Sequence, residues 1–564
     1  MKHREAFDRG WFGWHVFALT MVLMVMGWRL AISRTFFTVD TALRFLQVRS
    51  LIDQDWQTLA AIYPARFADP NLQFVPYYYG YGVVQDEIYL SISPFFPWLS
   101  SYLYVWLGWL GLVVLPVMGG VLTAVFIYKL GQLAGVKHPR WLFWSTVLAT
   151  PLLFYSLEFW DHSIGAALAA GTVYLLAKGM VTRQKLPAFL GGVALGLGLG
   201  QRPELYMFAL VVGVIFLWMS WRSWQQWLAF FTGGLLVTLP LWLWQYRWVG
   251  HPLGMGVAPN LFGYGQPEAR IFEGAVILSP IAKKGRFLFY IEGRDLVTFL
   301  AACAVLLGIV ILVWVVRVPK LQKPKWMWAG TILCAVGYLL YAITAWRHPV
   351  TGVLSTFALM PFVLFYVPNN GLAAQTHRIY RFVGGTAALF GLLMFLIWPT
   401  YGGEHQWGAR YLLPIYPLFL FITFYVYTYY EPHLDVVLQK SFRSAFYGLL
   451  VLSFVLQVAS VHYLYRVRQD NGLVLDIVEN LPIEIIITNH PFLPTDMSAA
   501  EDKGFLYVAD ITGMEIVLPQ LYANGIRRIG LIPLVPYAWE EYTGDIILEE
   551  AASFVYDLRQ SQRP

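Results

Sequence analysis

Between about residues 12 and 465 the chain alternates apolar runs of roughly 18 to 23 residues with short polar connectors, many of them basic. At about 1.5 Å of rise per residue such runs match a hydrocarbon layer of roughly 30 Å. A segment surrounded by lipid must satisfy its own backbone hydrogen bonds, so each run is predicted to be a helix. The runs fall at 12–32, 111–134, 141–157, 163–178, 188–201, 204–220, 227–247, 296–316, 326–346, 350–367, 382–399, 412–430 and 444–465, thirteen in all, with the fifth short.

Two stretches break this rhythm, 33–110 and 248–295. In the first, Phe45, Val48, Ile52 and Trp56 recur at helical spacing while Asp40, Arg44 and Gln47 mark another face. That is the pattern of a helix lying in the membrane interface, which would hold Asp40 near the lipid headgroups. The loop continues through Pro76-Tyr77-Tyr78-Tyr79-Gly80 to Gln85-Asp86-Glu87, then to an apolar piece from Pro94 to Leu110 that either spans or dips in. Beyond about residue 482, β-rich runs at 485–487, 505–508 and 529–531 alternate with a helix-like stretch from Met514 to Ala523, the signature of a small α/β domain. The expected architecture is an all-α polytopic membrane protein of about 11 to 13 transmembrane helices (residues 1–469) with a small C-terminal α/β extracytoplasmic domain (residues 470–564).

Composition agrees: 58% of the 564 residues are hydrophobic and 13% charged, and the mean hydropathy is +0.56. Trp and Tyr often flank the runs, as at Trp11, Trp14, Trp98, Trp326 and Trp398, where amphipathic rings suit the interface. Lys2, Arg4 and Arg9 precede a first run too long for a signal-peptide core, so it reads as a retained span. Cys303 and Cys334 stand alone in apolar runs, without metal or disulfide spacing.

The net charge of +6 hides two parts: 34 basic against 18 acidic residues before 470, and 5 against 15 after it. With a cytoplasmic N-terminus, alternate loops bring Lys129/Lys137/Arg140, Lys178/Arg183/Lys185, Arg222, Arg317/Lys320/Lys323/Lys325, Arg378/Arg381 and Lys440/Arg443 to one side, as the positive-inside rule requires. That topology explains the basic charge without nucleic acid. It places the long loops and the acidic tail outside the cell membrane, and long structured loops tend to be functional. The tail contains no GxGxxG or GxxxxGK, so nucleotide binding has no support.

Candidate chemistry collects in those outer segments. Asp40 would either activate an acceptor hydroxyl as a base or serve as a helix N-cap. Asp161 suits a cap of the fourth span. Glu158 and His162 would share a helix face able to bind a divalent metal if that helix started early. Pro203 and Glu204 read as a plain helix start. Arg202 and Arg410, and more weakly Arg347, are cations on the outer side beside helix N-termini, where topology and dipole both disfavour them. Such cations point to an anionic partner, for which the planar guanidinium suits phosphate; the alternative is loop salt bridges with Glu204 or Glu404. Lys283, Lys284 and Arg286 form a basic cluster that either binds an anion or touches headgroups, and His405 is a minor candidate.

Five motifs occur in order on the predicted outer side: Thr38-Val39-Asp40-Thr41, Gln85-Asp86-Glu87 with Ser93-Pro94-Phe95-Phe96-Pro97, Glu158-Phe159-Trp160-Asp161-His162, Gln201-Arg202-Pro203-Glu204, and Gly408-Ala409-Arg410-Tyr411-Leu412-Leu413-Pro414. With this layout the chain resembles the GT-C superfamily of membrane glycosyltransferases, the group of protein O-mannosyltransferases and the lipid A aminoarabinose transferase. It departs from them at Asp40-Thr41, where the O-mannosyltransferases have an Asp-Glu pair, and near Glu87, where the Glu-Lys-Pro-Pro of the aminoarabinose transferase is only echoed. The resemblance implies an inverting sugar transfer from a polyprenyl phosphate-linked donor to an extracytoplasmic lipid, glycan or protein acceptor. Asp40 would then be the base, Arg202 and Arg410 would hold phosphate, and Asp86, Glu87, Asp161, His162 and Glu204 would line the cavity. The rival classes are a lipid-glycan transporter or flippase, for which neither internal repeats nor mid-membrane charges stand out, and a non-catalytic glycan-binding membrane protein.

Overall fold

A computed structural model describes residues 2–77, 80–262, 280–291, 295–318, 322–365, 367–368, 374–397, 406–532 and 550–553. Among these, nine helical segments are long and apolar enough to cross a membrane: Phe12–Ala31, Phe95–Leu133, His162–Thr182, Trp224–Val249, Leu296–Arg317, Pro324–Ala345, Gln375–Ile397, Arg410–His433 and Val436–Asn480. Two shorter apolar helices, Lys185–Leu199 and Glu204–Ser220, add to them. The chain is a multi-pass helical membrane protein carrying a small α/β element, as the hydropathy pattern requires.

Four expectations need correction. The run at 141–157 is two helices, Pro139–Leu148 and Leu152–Leu157, because Pro151 disfavours helical backbone at Thr150 and cannot donate to the ladder. The run at 350–367 holds only the single turns Val353–Thr356 and Met360–Val363. Many of its apolar residues are core, with Val350, Phe357, Ala358 and Leu359 at 0% exposure, and burial in protein is where non-helical backbone is tolerated at membrane depth. The last span runs on to Asn480, without a proline until Pro482. The interfacial helix of the first loop is real, Val39–Asp53, but Arg44 and Gln47 on its polar face are 4% and 2% exposed. Their donors are used internally, on the carbonyls of Asp40 and Leu59, so this helix is packed all round rather than floating on headgroups.

The chain divides into two compact units. The first comprises Met1–Trp28, Val113–Leu241 and Phe272–Leu464. Its Leu296–Arg317 and Pro324–Ala345 helices pack so closely that a Cβ on Gly308 would lie 2.8 Å from the nitrogen of Cys334 and the carbonyl oxygen of Gly330, the small-residue contact typical of membrane helices. The Arg410–His433 segment is 89% buried along its apolar window and forms the centre. Basic residues gather at the far end of that centre: Lys137 Nζ lies 2.8 Å from Glu431 Oε2, and Arg443 pairs with the same carboxylate. At the end of the Glu204–Ser220 helix, Arg378 donates to the Met219 carbonyl. Loops grouped together by charge therefore do meet, at helix ends opposite Arg202 and Arg410.

The second unit comprises Arg29–Leu112, Trp242–Ile271 and Tyr465–Pro564. Tyr81–Val84 and Glu87–Leu90 form an antiparallel hairpin whose turn residues, Gln85 and Asp86, have φ of 52° and 61°. A four-stranded parallel sheet runs in the order Gly504–Tyr507, Ile485–Thr488, Arg528–Ile532, Glu550–Ser553. Three of its strands and its helix Ile511–Ala523 lie where the β-rich and helix-like runs predicted, while Glu550–Ser553 matches none of them. Leu43, Tyr63, Phe74 and Ile88 from the first long loop share one hydrophobic core with Ile487, Leu506 and Val517 from the tail.

Candidate functional site

Three helix beginnings meet in the first unit. Asp161 precedes the helix His162–Thr182, Arg202 and Pro203 precede Glu204–Ser220, and Arg410 opens a 3-10 turn that runs into Tyr416–Tyr430. Proline at 203 presets the backbone for helix entry. Each beginning contributes the positive end of a helix dipole, so the place suits negative charge.

At its centre is a buried ion cluster. Arg202 Nη1 donates to Asp161 Oδ1 at 2.9 Å, and Nε to Glu204 Oε1 and Oε2 at 3.0 and 3.2 Å, with side-chain exposures of 7%, 1% and 1%. Burial alone would lower the Arg202 pKa, but Asp161 and Glu204 raise it above its ordinary value, so the guanidinium stays charged. The salt bridge with Glu204 foreseen as an alternative is thus present, and Asp161, expected either to cap the helix or to line the cavity, gives its carboxylate to Arg202. His162 Nδ1 lies 3.6 Å from Glu204 Oε1, and its ring packs against Tyr155 and Trp160 at 4.9 and 4.8 Å.

Arg410 stands next to this cluster, partly exposed. Its guanidinium lies 5.3 Å from the Trp160 ring centre and 4.9 Å from that of Tyr411, and Nη2 donates to Tyr411 Oη at 3.0 Å. The same Tyr411 ring is 6.0 Å from the Arg202 guanidinium, so one aromatic links the two cations. A guanidinium held against aromatic rings is of the kind that recognises oxyanions through planar, two-pronged bonds.

The segment carrying Arg410 is fixed from below by a buried polar network that motif reading missed. Trp407 Nε1 donates to Gln457 Oε1 at 2.8 Å, Gln457 Nε2 donates to the Thr356 carbonyl at 3.0 Å, and Tyr155 Oη donates to the Trp407 carbonyl at 2.9 Å. The Ala409 N–H donates to Tyr416 Oη at 3.2 Å. Gly408, at φ 64°, has Thr356, Pro151 and Tyr416 atoms 3.0 to 3.1 Å from where a Cβ would be, so only glycine fits the turn. Gln457, the one amide of the 444–465 run, was the signal in the sequence.

The remaining candidates are placed as follows. Glu158 is fully buried, but its backbone is extended (φ −92°, ψ 145°) and the helix begins only at His162. The shared helix face proposed for metal binding by Glu158 and His162 therefore does not exist, and among the described residues no group of three or more His, Cys, Asp or Glu is arranged to hold a metal. Asp40, Asp86 and Glu87 belong to the second unit. Asp40 is half-buried in the first turn of its helix; the N-cap is Thr38, whose N–H donates to Thr41 Oγ1 at 3.2 Å, so capping does not explain Asp40. Asp86 and Glu87 are exposed at the hairpin turn, where Arg66 donates to the Asp86 carbonyl at 2.7 Å and to Glu87 Oε2 at 3.2 Å. Lys284 bonds the carbonyls of Phe395 and Leu396 at the end of the Ala374–Ile397 helix, a C-terminal cap rather than a headgroup contact. Arg347 is exposed. Tyr78, Tyr79, Lys320, Trp398, Glu404, His405 and the side chains of Trp11 and Lys283 lie outside the described residues.

No family model and no curated protein matches the chain. Among solved structures it is similar to ArnT from Cupriavidus metallidurans bound to undecaprenyl phosphate, at 11% identity over 91% of this chain and 88% of that one, with a TM-score of 0.47. The apo state of that protein matches at 11% identity over 86% and 85%, TM-score 0.46. The oligosaccharyltransferase of Archaeoglobus fulgidus in the apo form matches at 12% identity over 87% of this chain and 64% of that one, TM-score 0.40.

Proposed function

We propose that this chain is a membrane glycosyltransferase that moves a sugar from a polyprenyl phosphate-linked donor to an extracytoplasmic lipid, glycan or protein acceptor. The observation that carries the reading is Arg410, a partly exposed guanidinium set against Trp160 and Tyr411 where three helix N-termini meet. As the bond from sugar C1 to the phosphate oxygen breaks, charge builds on the phosphate. A fixed guanidinium with dipoles aimed at that point stabilises the charge without reorganising. Arg202, neutralised by Asp161 and Glu204, is the structural charge behind it that fixes Tyr411 and the helix ends, which divides the two arginines between contact and support.

The base is assigned to Asp40 by the resemblance of its motif. The acceptor oxygen bonds to C1, its proton passes to the Asp40 carboxylate, and the configuration at C1 inverts. The surrounding lipid supplies the donor. Asp40→Asn in purified, reconstituted protein given a polyprenyl-phosphate sugar separates the roles at that position. Thr38 keeps the cap, so thermal stability should be unchanged, while transfer should fall by at least about a hundredfold. Transfer near the unsubstituted rate would remove Asp40 from the mechanism.

A further inference from the structure

Within the first unit, the helices Glu204–Ser220 and Ala374–Ile397 meet at the end away from Arg202 and Arg410, where Arg378 donates to the Met219 carbonyl. Other cations join it there. The Arg381 guanidinium lies 5.9 Å from the Trp218 ring centre, and that of Arg222, just past the end of the Glu204–Ser220 helix, lies 5.0 Å from the Trp221 ring centre. All three arginines are exposed, as are Trp218 and Trp221 at 67% each. His377, four residues before Arg381 and so on the same helix face, is only 8% exposed, and its Nδ1 has no hydrogen-bond partner among the described residues.

The local sequence supplies no counter-charge: residues 216–230 and 374–385 contain no Asp or Glu. Arg378 and Arg381 fall in the first turns of their helix, where the dipole disfavours cations, and at a spacing of three they repel one another. Other cations at this end of the unit are occupied internally. Lys137 and Arg443 share the Glu431 carboxylate, and Arg317 donates to the Leu364 carbonyl at 3.2 Å. Buried polar atoms in native proteins are normally satisfied, and Nδ1 can carry the proton and donate. Cations without an acid, beside a buried nitrogen without a partner, are arranged for an anion.

We propose that this end of the unit binds the headgroup of an anionic phospholipid. Arg381 and His377 would hold its phosphodiester, flanked by Arg378 and Arg222. The exposed Trp218 and Trp221 rings suit the boundary between headgroup and acyl chain, a surface that a free phosphate would leave unused. A zwitterionic headgroup would bring an ammonium that no local carboxylate receives. The inference is independent of the transfer reading and stands if Arg410 binds nothing.

Native mass spectrometry of the detergent-purified full chain, incubated with equal amounts of phosphatidylglycerol and phosphatidylcholine, tests it. The wild type should retain phosphatidylglycerol at least about tenfold in preference, and Arg381→Gln should reduce that retention by roughly tenfold. Trp218→Ala should reduce it several-fold; both positions are exposed, so folding is not at stake. Lys325, an exposed lysine 5.6 Å from the Trp326 ring centre in another basic loop, separates a built site from diffuse attraction: Lys325→Gln should leave retention unchanged. Arg410→Ala should also leave it unchanged, and excess glycerol 3-phosphate should not displace the lipid. Equal retention of the two lipids, indifference to Arg381→Gln or Trp218→Ala, a matching loss with Lys325→Gln, loss with Arg410→Ala, or displacement by glycerol 3-phosphate would each overturn the proposal.

Discussion

Replacing Arg202 by Met removes one cation from between two carboxylates that are each 1% exposed. Asp161 and Glu204 lose three charge-assisted hydrogen bonds, of 2.9, 3.0 and 3.2 Å, and stay as buried negative charges at helix ends without the guanidinium between them. Breaking a buried ion pair from one side costs about 3–5 kcal/mol, most of it the cost of the stranded charge rather than the value of the lost contact. The dipoles of the His162–Thr182 and Glu204–Ser220 helices return roughly 0.3–1 kcal/mol each, too little to offset it. Combining Arg202→Met with Asp161→Asn and Glu204→Gln removes the charges together. Only unpaired neutral polar groups remain, at about 1–3 kcal/mol. Thermal unfolding of the purified protein in detergent should therefore rank wild type above the triple variant, and the triple above the single. Donor-dependent transfer should be lost in both variants, because Tyr411 and Arg410 lose the charge behind them. A single variant as stable as wild type, or a triple no better than the single, would refute the buried-cluster account.

The α/β segment should show opposed pH responses. His490 Nδ1 accepts the N–H groups of Phe492 and Leu493 and must be neutral to do so; burial lowers its pKa to about 4 from 6.5, so folding gains stability as pH rises through that window. Burial raises Asp496 to about 7 from 3.8, so its contribution is lost as pH rises through that range. Hydrogen exchange of the sheet amides should be nearly level with pH in the wild type, with protection rising with pH in Asp496→Asn and falling in His490→Asn; the same profile in all three would contradict the assignment. Topology is checked in a background lacking Cys303 and Cys334: single cysteines at the exposed positions Asn71 and Asn524 should react with a membrane-impermeant thiol reagent in intact cells, and those at Thr182 and Lys440 should not.

Hydropathy and charge made most of the fold legible because lipid leaves a helix few alternatives. Where an apolar run was buried by protein instead, as at 350–367, the same composition no longer required a helix. The Thr150-Pro151 break was readable as a rule but outweighed by run length. Arg44 and Gln47 looked solvated because helical spacing reports faces, not what covers them; their donors turn to the Asp40 and Leu59 carbonyls of the same loop. At the site, Arg202 and Arg410 were recognisable one by one, since a cation beside a helix N-terminus is costly, and Asp161 as an acid suited to a helix start. That Asp161 and not Glu204 alone neutralises Arg202, and that Trp407, Gln457 and Tyr416 hold the Arg410 segment, depends on contacts between distant parts of the sequence.

The central claim is that Arg410 receives the phosphate of a lipid-linked donor. Native mass spectrometry of the detergent-purified protein incubated with a polyprenyl phosphate measures this directly, in the wild type and in Arg410→Lys and Arg410→Ala. One lipid should remain on the wild type, with occupancy reduced in Arg410→Lys, which keeps the charge without the two-pronged edge, and abolished in Arg410→Ala. Equal occupancy in all three proteins, or no lipid retained by the wild type, would contradict the account.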